Sequence, residues 1–228
     1  MERGLNSAWL KIIALITMTI DHIGMILFPE QLIYRYIGRI AFPIFAYLIA
    51  ESYQYTRDKK KFFLKMLCMA VITQLPYIMF EKSLYLNIFC TFVISILAMM
   101  LMDLIDKKTS EVSVKIAVIA VIYFIGNLIE NSLTFKIMGI TIDYGVLGAL
   151  VPVLVYVGRG KIEKIIYFFL GLLAVALAGH THVQIYSLIS VVLMMLYNGK
   201  RGYNGVWFKQ LFWVYYPLHL GILYLIKT

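Results

Sequence analysis

The chain has 228 residues, of which 62% are hydrophobic and 14% charged, with a formal net charge of +9 and a mean hydropathy of +0.84. A soluble domain of this length has too little interior for so much apolar surface, so an ordinary water-soluble globule is excluded and a bilayer is the natural solvent. The positive charge does not read as a nucleic-acid face, because the Lys and Arg residues fall in short runs between apolar segments, as membrane topology requires.

Nine apolar segments follow one another, and a polytopic, all-α transmembrane bundle forming one domain over 1–228 is expected. The first, about 8–28, contains "WLKIIALITMTIDHIGMILF", an apolar stretch interrupted by Asp21 and His22 side by side. No small-residue cleavage site follows it, so it is expected to remain as a span rather than leave as a signal peptide. The second, about 34–55, holds Arg39 and Pro43, and ends at the basic run Arg57, Lys59, Lys60 and Lys61. The third, about 61–80, holds Cys68, Gln74 and Pro76; the fourth, about 86–105, opens on Asn87 and holds Cys90. Neither cysteine has a disulfide or metal-ligand pattern, and both read as small apolar residues. The fifth covers about 113–129. The sixth, about 142–157, starts with Asp143 and Tyr144 and holds Pro152. Segments seven and eight, about 164–178 and 183–197, are short enough to be tilted partners or a re-entrant pair. They are joined by "GHTHV", where His180 and His182 read as exposed loop residues. Their His-x-His spacing finds no third ligand, and no metal site is expected. The ninth, about 208–226, holds Pro217 and His219.

Orientation follows from the basic residues. With the N-terminus inside, 16 Lys and Arg lie on inner segments and five on outer ones, namely Arg35, Arg39, Lys82, Lys136 and Lys227. That bias fits the positive-inside rule and puts the C-terminus outside. At a rise of about 1.5 Å per residue, Asp21, His22, Arg39, Gln74 and His219 all fall roughly 7–10 Å below the outer surface. Asn87, Asp143, His180 and His182 lie nearer that surface. Ionisable groups within a membrane must be satisfied by one another or by cavity water. A polar cavity opening outward is therefore expected, with Asp21 and Arg39 as its ion pair and Gln74, Asn87, Asp143 and Tyr144 along its walls. Prolines beside Arg39, Gln74 and His219 are expected to bend their helices around it.

Several chemistries remain open on these residues alone. An Asp–Arg pair between helices serves equally as structural glue, and His219 as a packing residue. A His near neutral pH is a natural general base or acid, whereas no Ser nucleophile elbow or phosphate-cradling loop is present. In a transporter or exporter, Asp21, His22 and His219 would form a proton relay, although no inverted repeat is visible. A non-enzymatic assembly factor would have no need for titratable groups at one depth.

The segments "LKIIALITMTIDHIGMILFP", "IGRIAFPIFAYLIAESYQYTRDKKKF", "TQLPY", "DYGVLG" and "YYPLHLGILYLI", in this order, resemble the TraX family over essentially the whole chain. Its founding member N-acetylates the amino terminus of conjugative pilin in the inner membrane. More distantly, the chain resembles the membrane O-antigen acetylases and heparan-glucosaminide N-acetyltransferase. The former carry an Arg-x10-His motif, and here Lys11 stands ten intervening residues before His22. The resemblance implies a multi-pass acyltransferase of the cytoplasmic membrane that takes cytosolic acetyl-CoA as co-substrate. The acceptor would be an extracytoplasmic amine or hydroxyl, on a protein N-terminus or a surface glycan, with no nucleic acid involved. It also implies His22 as general base, Asp21 and Arg39 orienting it, and His219 as a second acid/base or an oxyanion donor. Lys11, Arg57, Lys59 and Lys60 would then meet the phosphates of the donor.

The charge bias makes a direct prediction. A reporter fused after Thr228 is expected outside, and one inserted after Lys60 inside; finding both on one side would overturn the nine-span topology.

Overall fold

A computed structural model describes residues 4–81, 84–109, 111–179 and 182–227. The protein is 80% helical. The chain divides into two compact units, Met1–Leu48 with Lys161–Thr228, and Ile49–Gly160.

In the first unit, α1 (Ser7–Ile26) begins where the Asn6 side chain accepts a hydrogen bond from the Trp9 amide, 3.1 Å away. Such a cap satisfies one of the amides that a helix start leaves without a partner. The chain turns over Leu27–Gln31 into α2 (Leu32–Gly38), which packs along α1. That packing is close because two glycines stand in it. A Cβ on Gly38 would lie 2.1 Å from Asp21 Oδ1, and one on Gly24 would lie 2.3 Å from Tyr34 Cβ.

The second expected segment is broken rather than continuous: α2 stops at Gly38, and α3 (Ala41–Tyr55) starts beyond Arg39 and Ile40. Pro43 is the reason. Its ring would collide with the carbonyl of residue 39 in an uninterrupted helix, and it has no N–H to give that carbonyl. Placed in the first turn of α3, Pro43 costs no intrahelical bond. The break leaves Arg39 as the C-cap of α2, its amide on the Arg35 carbonyl at 3.1 Å.

The unit is completed by α9 (Lys161–Ala178), a 3₁₀ stretch over His182–Leu188 that runs into α10 (Ile189–Met195), and α11 (Val206–Lys227). Leu5 pairs with the chain at Leu196–Asn198 through two backbone bonds of 2.9 Å. Leu10, Ile44, Phe168, Leu172, Met194 and Leu220 are among its largest fully buried apolar side chains.

The second unit holds α4 (Lys59–Pro76), α5 (Ile88–Asp106), α6 (Val112–Glu130), α7 (Leu133–Met138) and α8 (Gly145–Val157), and it receives the end of α3. Asp58 caps α4 and Asn87 caps α5. Beyond Pro76 the backbone widens into a π turn, Tyr77–Glu81. Two short strands, β1 (Tyr85–Leu86) and β2 (Thr141–Ile142), pair in parallel with Tyr85 opposite Thr141. Tyr53, Ile96, Met99, Met102, Val151 and Val153 fill its core.

Each of the nine apolar segments lies largely on helix, the second broken at Arg39–Ile40 and the eighth opening as 3₁₀. Among the described residues, five stretches are long and apolar enough to cross a membrane: Ser7–Ile26, Leu32–Tyr55, Lys59–Met79, Ile88–Asp106 and Val112–Glu130. Gly145–Val157 and His182–Met195 are shorter apolar helices. The surface requires a lipid solvent. Helix α6 buries none of its most apolar stretch, and Ile116, Val121, Phe124, Ile125, Leu128 and Ile129 all stand exposed on it. An apolar face of that extent is untenable in water and ordinary against acyl chains.

Close approach at Gly38 is testable. Gly38→Ala is expected to destabilise the protein by about 1–3 kcal/mol through overpacking against Asp21. Gly160→Ala, where an added Cβ meets nothing within 4 Å, should stay within roughly 0.5 kcal/mol of wild type. Equal stability of both variants in thermal unfolding would contradict the packing.

Candidate functional site

Asp21 is the fifteenth residue of a twenty-residue apolar helix, and it is buried. A carboxylate there ionises only if cations replace its hydration. Two do. Arg39 Nη2 donates to both carboxylate oxygens, at 2.9 and 2.7 Å, and Arg35 Nη1 donates to Oδ2 at 3.0 Å. Arg35 and Arg39 are four residues apart, so one face of α2 and its cap presents both guanidiniums to α1. Arg39 Nη1 also donates to Gln184 Oε1 at 3.3 Å, reaching the 3₁₀ stretch.

His22 points to a different partner. Its Nδ1 lies 2.7 Å from His219 Nε2, and both rings are buried. His219 Nδ1 in turn lies 2.9 Å from the Tyr215 carbonyl oxygen. This chain fixes the tautomers. A carbonyl only accepts, so His219 carries its proton on Nδ1 and, when neutral, presents a lone pair at Nε2. His22 must then donate from Nδ1, which leaves a lone pair on its Nε2. The edge of the Tyr216 ring packs against both imidazoles, with centroids 5.9 and 5.3 Å away. One further bond ties α11 to α1. The Thr19 hydroxyl donates to the Leu15 carbonyl, so it accepts the Tyr215 hydroxyl proton at 2.8 Å.

Four residues expected at one depth, Asp21, His22, Arg39 and His219, are thus brought together inside the first unit. Gln74, Asn87, Asp143 and Tyr144 lie in the second unit and are described there. Gln74 Oε1 accepts from Asn87 Nδ2 at 2.8 Å, and Gln74 Nε2 donates to the Tyr85 carbonyl at 2.8 Å. Tyr85 donates its hydroxyl to Asp143 Oδ1 at 2.6 Å, and Thr91 donates to the Asp143 carbonyl at 2.7 Å. Burial, reinforced by the Asp143 carboxylate, drives the Tyr85 phenol far above its ordinary pKa, so it remains a neutral donor. These bonds tie the β1 and β2 segments to α4 and α5. Tyr144 holds φ at 60°, rare for a bulky side chain, where the chain enters α8.

The expected donor-binding cations divide as well. Lys11 lies on α1, eleven residues before His22, which sets it about 16 Å away along the helix axis. Arg57 and Lys60 are exposed at the turn into α4. Lys59 is already engaged: its Nζ lies 2.5 Å from Asp103 Oδ2 and 4.5 Å from the centre of the Tyr53 ring. The same carboxylate accepts the hydroxyls of Tyr53 and Tyr156. His182 is exposed at the start of the 3₁₀ stretch, whereas His180, Arg3 and Lys82 lie outside the described residues. Cys68 and Cys90 are free thiols.

Sequence reasoning passed over Arg35, Gln184 and Asp103. Arg35 was counted only as an outer charge, although its four-residue spacing from Arg39 is a readable signal. Asp103, inside the apolar run "ILAMMLMDLI", was equally visible as an intramembrane carboxylate. Gln184 carried no local signal, since only the fold brings it to Arg39.

The fold and this cluster define an all-α membrane protein with a charged and imidazole-rich site buried in one helical unit. The family model described as "TraX protein" matches residues 6–227, and the chain belongs to the TraX family. Among curated proteins, it is similar to the probable fimbrial assembly protein FimC of Dichelobacter nodosus, with 23% identity over 94% of this chain and 92% of that protein. It also shares 39% identity over 79 residues with an uncharacterized protein of Rickettsia prowazekii. That match takes in 35% of this chain and spans only 30% of the Rickettsia protein. No solved structure matches the chain.

The ion-pair geometry ranks three substitutions. Asp21→Asn leaves two buried cations without their anion and is expected to cost about 3–5 kcal/mol. Arg39→Gln should cost less, because Arg35 keeps the carboxylate paired, and Arg35→Gln, at the more exposed position, least. Thermal unfolding of the three variants checks this order; an Asp21→Asn protein as stable as Arg35→Gln would contradict it.

Proposed function

We propose that the chain is an integral-membrane acyltransferase that moves an acetyl group from cytosolic acetyl-CoA to an amine or hydroxyl on the outer side. Family membership supports the class. The similarity to a probable fimbrial assembly protein supports an acceptor among surface polymers, either a protein N-terminus or a glycan. In this reading the chain is a multi-pass protein of the cytoplasmic membrane, crossing nine times with its N-terminus inside and its C-terminus outside.

The observation that carries the proposal is the bond chain from the Tyr215 carbonyl through His219 to His22, which leaves His22 Nε2 bare. That nitrogen accepts the proton of the acceptor N–H or O–H as the acceptor attacks the thioester carbonyl. The new C–N or C–O bond forms and the C–S bond breaks. The proton held on His22 then passes to the departing thiolate, giving the acetylated acceptor and free CoA. His219 receives the Nδ1–H of His22 more strongly as the imidazolium forms, so it acts as the positioning partner of the base. Asp21 fixes the two arginines beside it and offsets part of the charge with which they oppose that imidazolium.

Lys11 would meet the donor phosphates from the inner side, and the pantetheine arm would cover the distance along α1 to His22. Arg57 and Lys60 are further phosphate contacts in this reading, and Lys59 becomes one only by leaving Asp103. A proton relay of a transporter fits less well. A relay hands its proton on, and the chain ends on a peptide carbonyl, which holds a proton donor but passes nothing further.

Transfer is testable with purified protein in lipid vesicles and labelled acetyl-CoA. Wild type is expected to consume the thioester, and His22→Ala to lose about 10²–10⁴-fold in rate while remaining inserted and folded. A His22→Ala protein with wild-type turnover would overturn the proposal.

A further inference from the structure

The cluster around Asp21 is rich in positive charge. Two guanidiniums share one carboxylate, and both are largely withdrawn from solvent, with 27% of the Arg35 side chain exposed and 12% of Arg39. Gln184 adds an independent observation. Its side chain is 7% exposed, and because an arginine only donates, the amide must turn Oε1 toward Arg39 Nη1. Nε2 then lies on the other arm of the same amide, buried and with no hydrogen-bond acceptor among the described residues. An orphaned buried donor is expensive, and a bound ion or ligand is one of the reasons a native protein keeps one.

We propose that Arg35, Arg39 and Gln184 Nε2 together form a binding site for an oxyanion, a carboxylate or a phosphate group. Guanidiniums recognise either through charge-assisted bonds, and the neutral amide supplies a directional donor without adding charge. An oxyanion there accepts from the guanidiniums and satisfies Nε2 at once. The site goes beyond acyl transfer and stands or falls without it. If transfer also holds, the site seats an acceptor that bears an acidic group near its nucleophile. A free anion and the phosphate of a lipid headgroup share this chemistry, and the two sources are separable.

The test is thermal unfolding of the full chain in neutral detergent with phosphatidylcholine, followed by tryptophan fluorescence. One arm adds inorganic phosphate, the other phosphatidylglycerol, each at ionic strength matched with chloride to hold screening constant. A ligand that binds only the folded state is expected to raise Tm by roughly 3–6 °C at ten times its Kd. A rise with phosphate assigns a soluble anion, and a rise with phosphatidylglycerol alone assigns a lipid headgroup; either supports the site. Gln184→Glu places an oxyanion in the site permanently. It is expected to raise the Tm of the protein without added probe and to abolish the shift with probe, a combination that unfolding does not produce. Gln184→Leu should keep the fold and weaken the shift. No rise with either probe in wild type, or a wild-type rise in both Gln184 variants, would overturn the proposal. Neither readout uses an acyl donor, so its failure is distinct from failure of acyl transfer.

Discussion

An ionised carboxylate within an apolar helix is the constraint on which the first unit depends. Asp21 has little water to solvate it, and Arg39 and Arg35 take water's place at 2.7–3.0 Å. The requirement shapes the backbone. Gly38 lets α2 come close enough to α1, where any Cβ would overlap the carboxylate. Pro43 stops a continuous helix at Arg39, so that the Arg39 backbone amide caps α2 while its guanidinium grips Asp21 and reaches Gln184. Removing the carboxylate would leave two cations in the same low-dielectric surroundings, which is why the network is worth more intact than its separate pairs imply.

The neighbouring residue on α1 is free to do something else because Asp21 is occupied. His22 does not touch the carboxylate in the bond pattern; it leans on His219, and His219 on a peptide carbonyl. A carbonyl is a weaker orienting partner than a carboxylate, but it fixes the tautomer with equal certainty. The adjacent Asp-His dipeptide therefore feeds two separate networks, one that neutralises charge and one that holds a base. Successive residues on a helix point about 100° apart, which makes this division natural.

Much of this was legible in the sequence, and the reasons are particular. The helices were readable because apolar runs of spanning length leave few alternatives, and the Asp21–Arg39 pair because a lone intramembrane charge demands a partner. Counting residues along each span put His219 near the level of His22 before any contact was known. The break at Arg39–Ile40 was half visible, since Pro43 signalled a disturbance without showing that it would split the segment in two. Contacts made by long-range packing were not legible. Nothing near Gln184 in sequence marks it, and nothing near Lys59 announces its bond to Asp103, 44 residues away. Gln74, Asn87, Asp143 and Tyr144 all lie toward the outer side in the sequence, which does not show the bonds from Gln74 to Asn87 or from Tyr85 and Thr91 to Asp143.

The bond chain from Tyr215 fixes the protonation pattern of two imidazoles, which ¹⁵N chemical shifts of histidine-labelled protein in lipid bilayers report. Near neutral pH both His22 and His219 are expected to carry their proton on Nδ1, with Nε2 of His22 bare. His22→Ala and His219→Ala samples assign the signals. Nε2 protonated and Nδ1 bare on His22 would contradict this pattern, because the chain from Tyr215 would then run the other way and leave no base facing the acceptor.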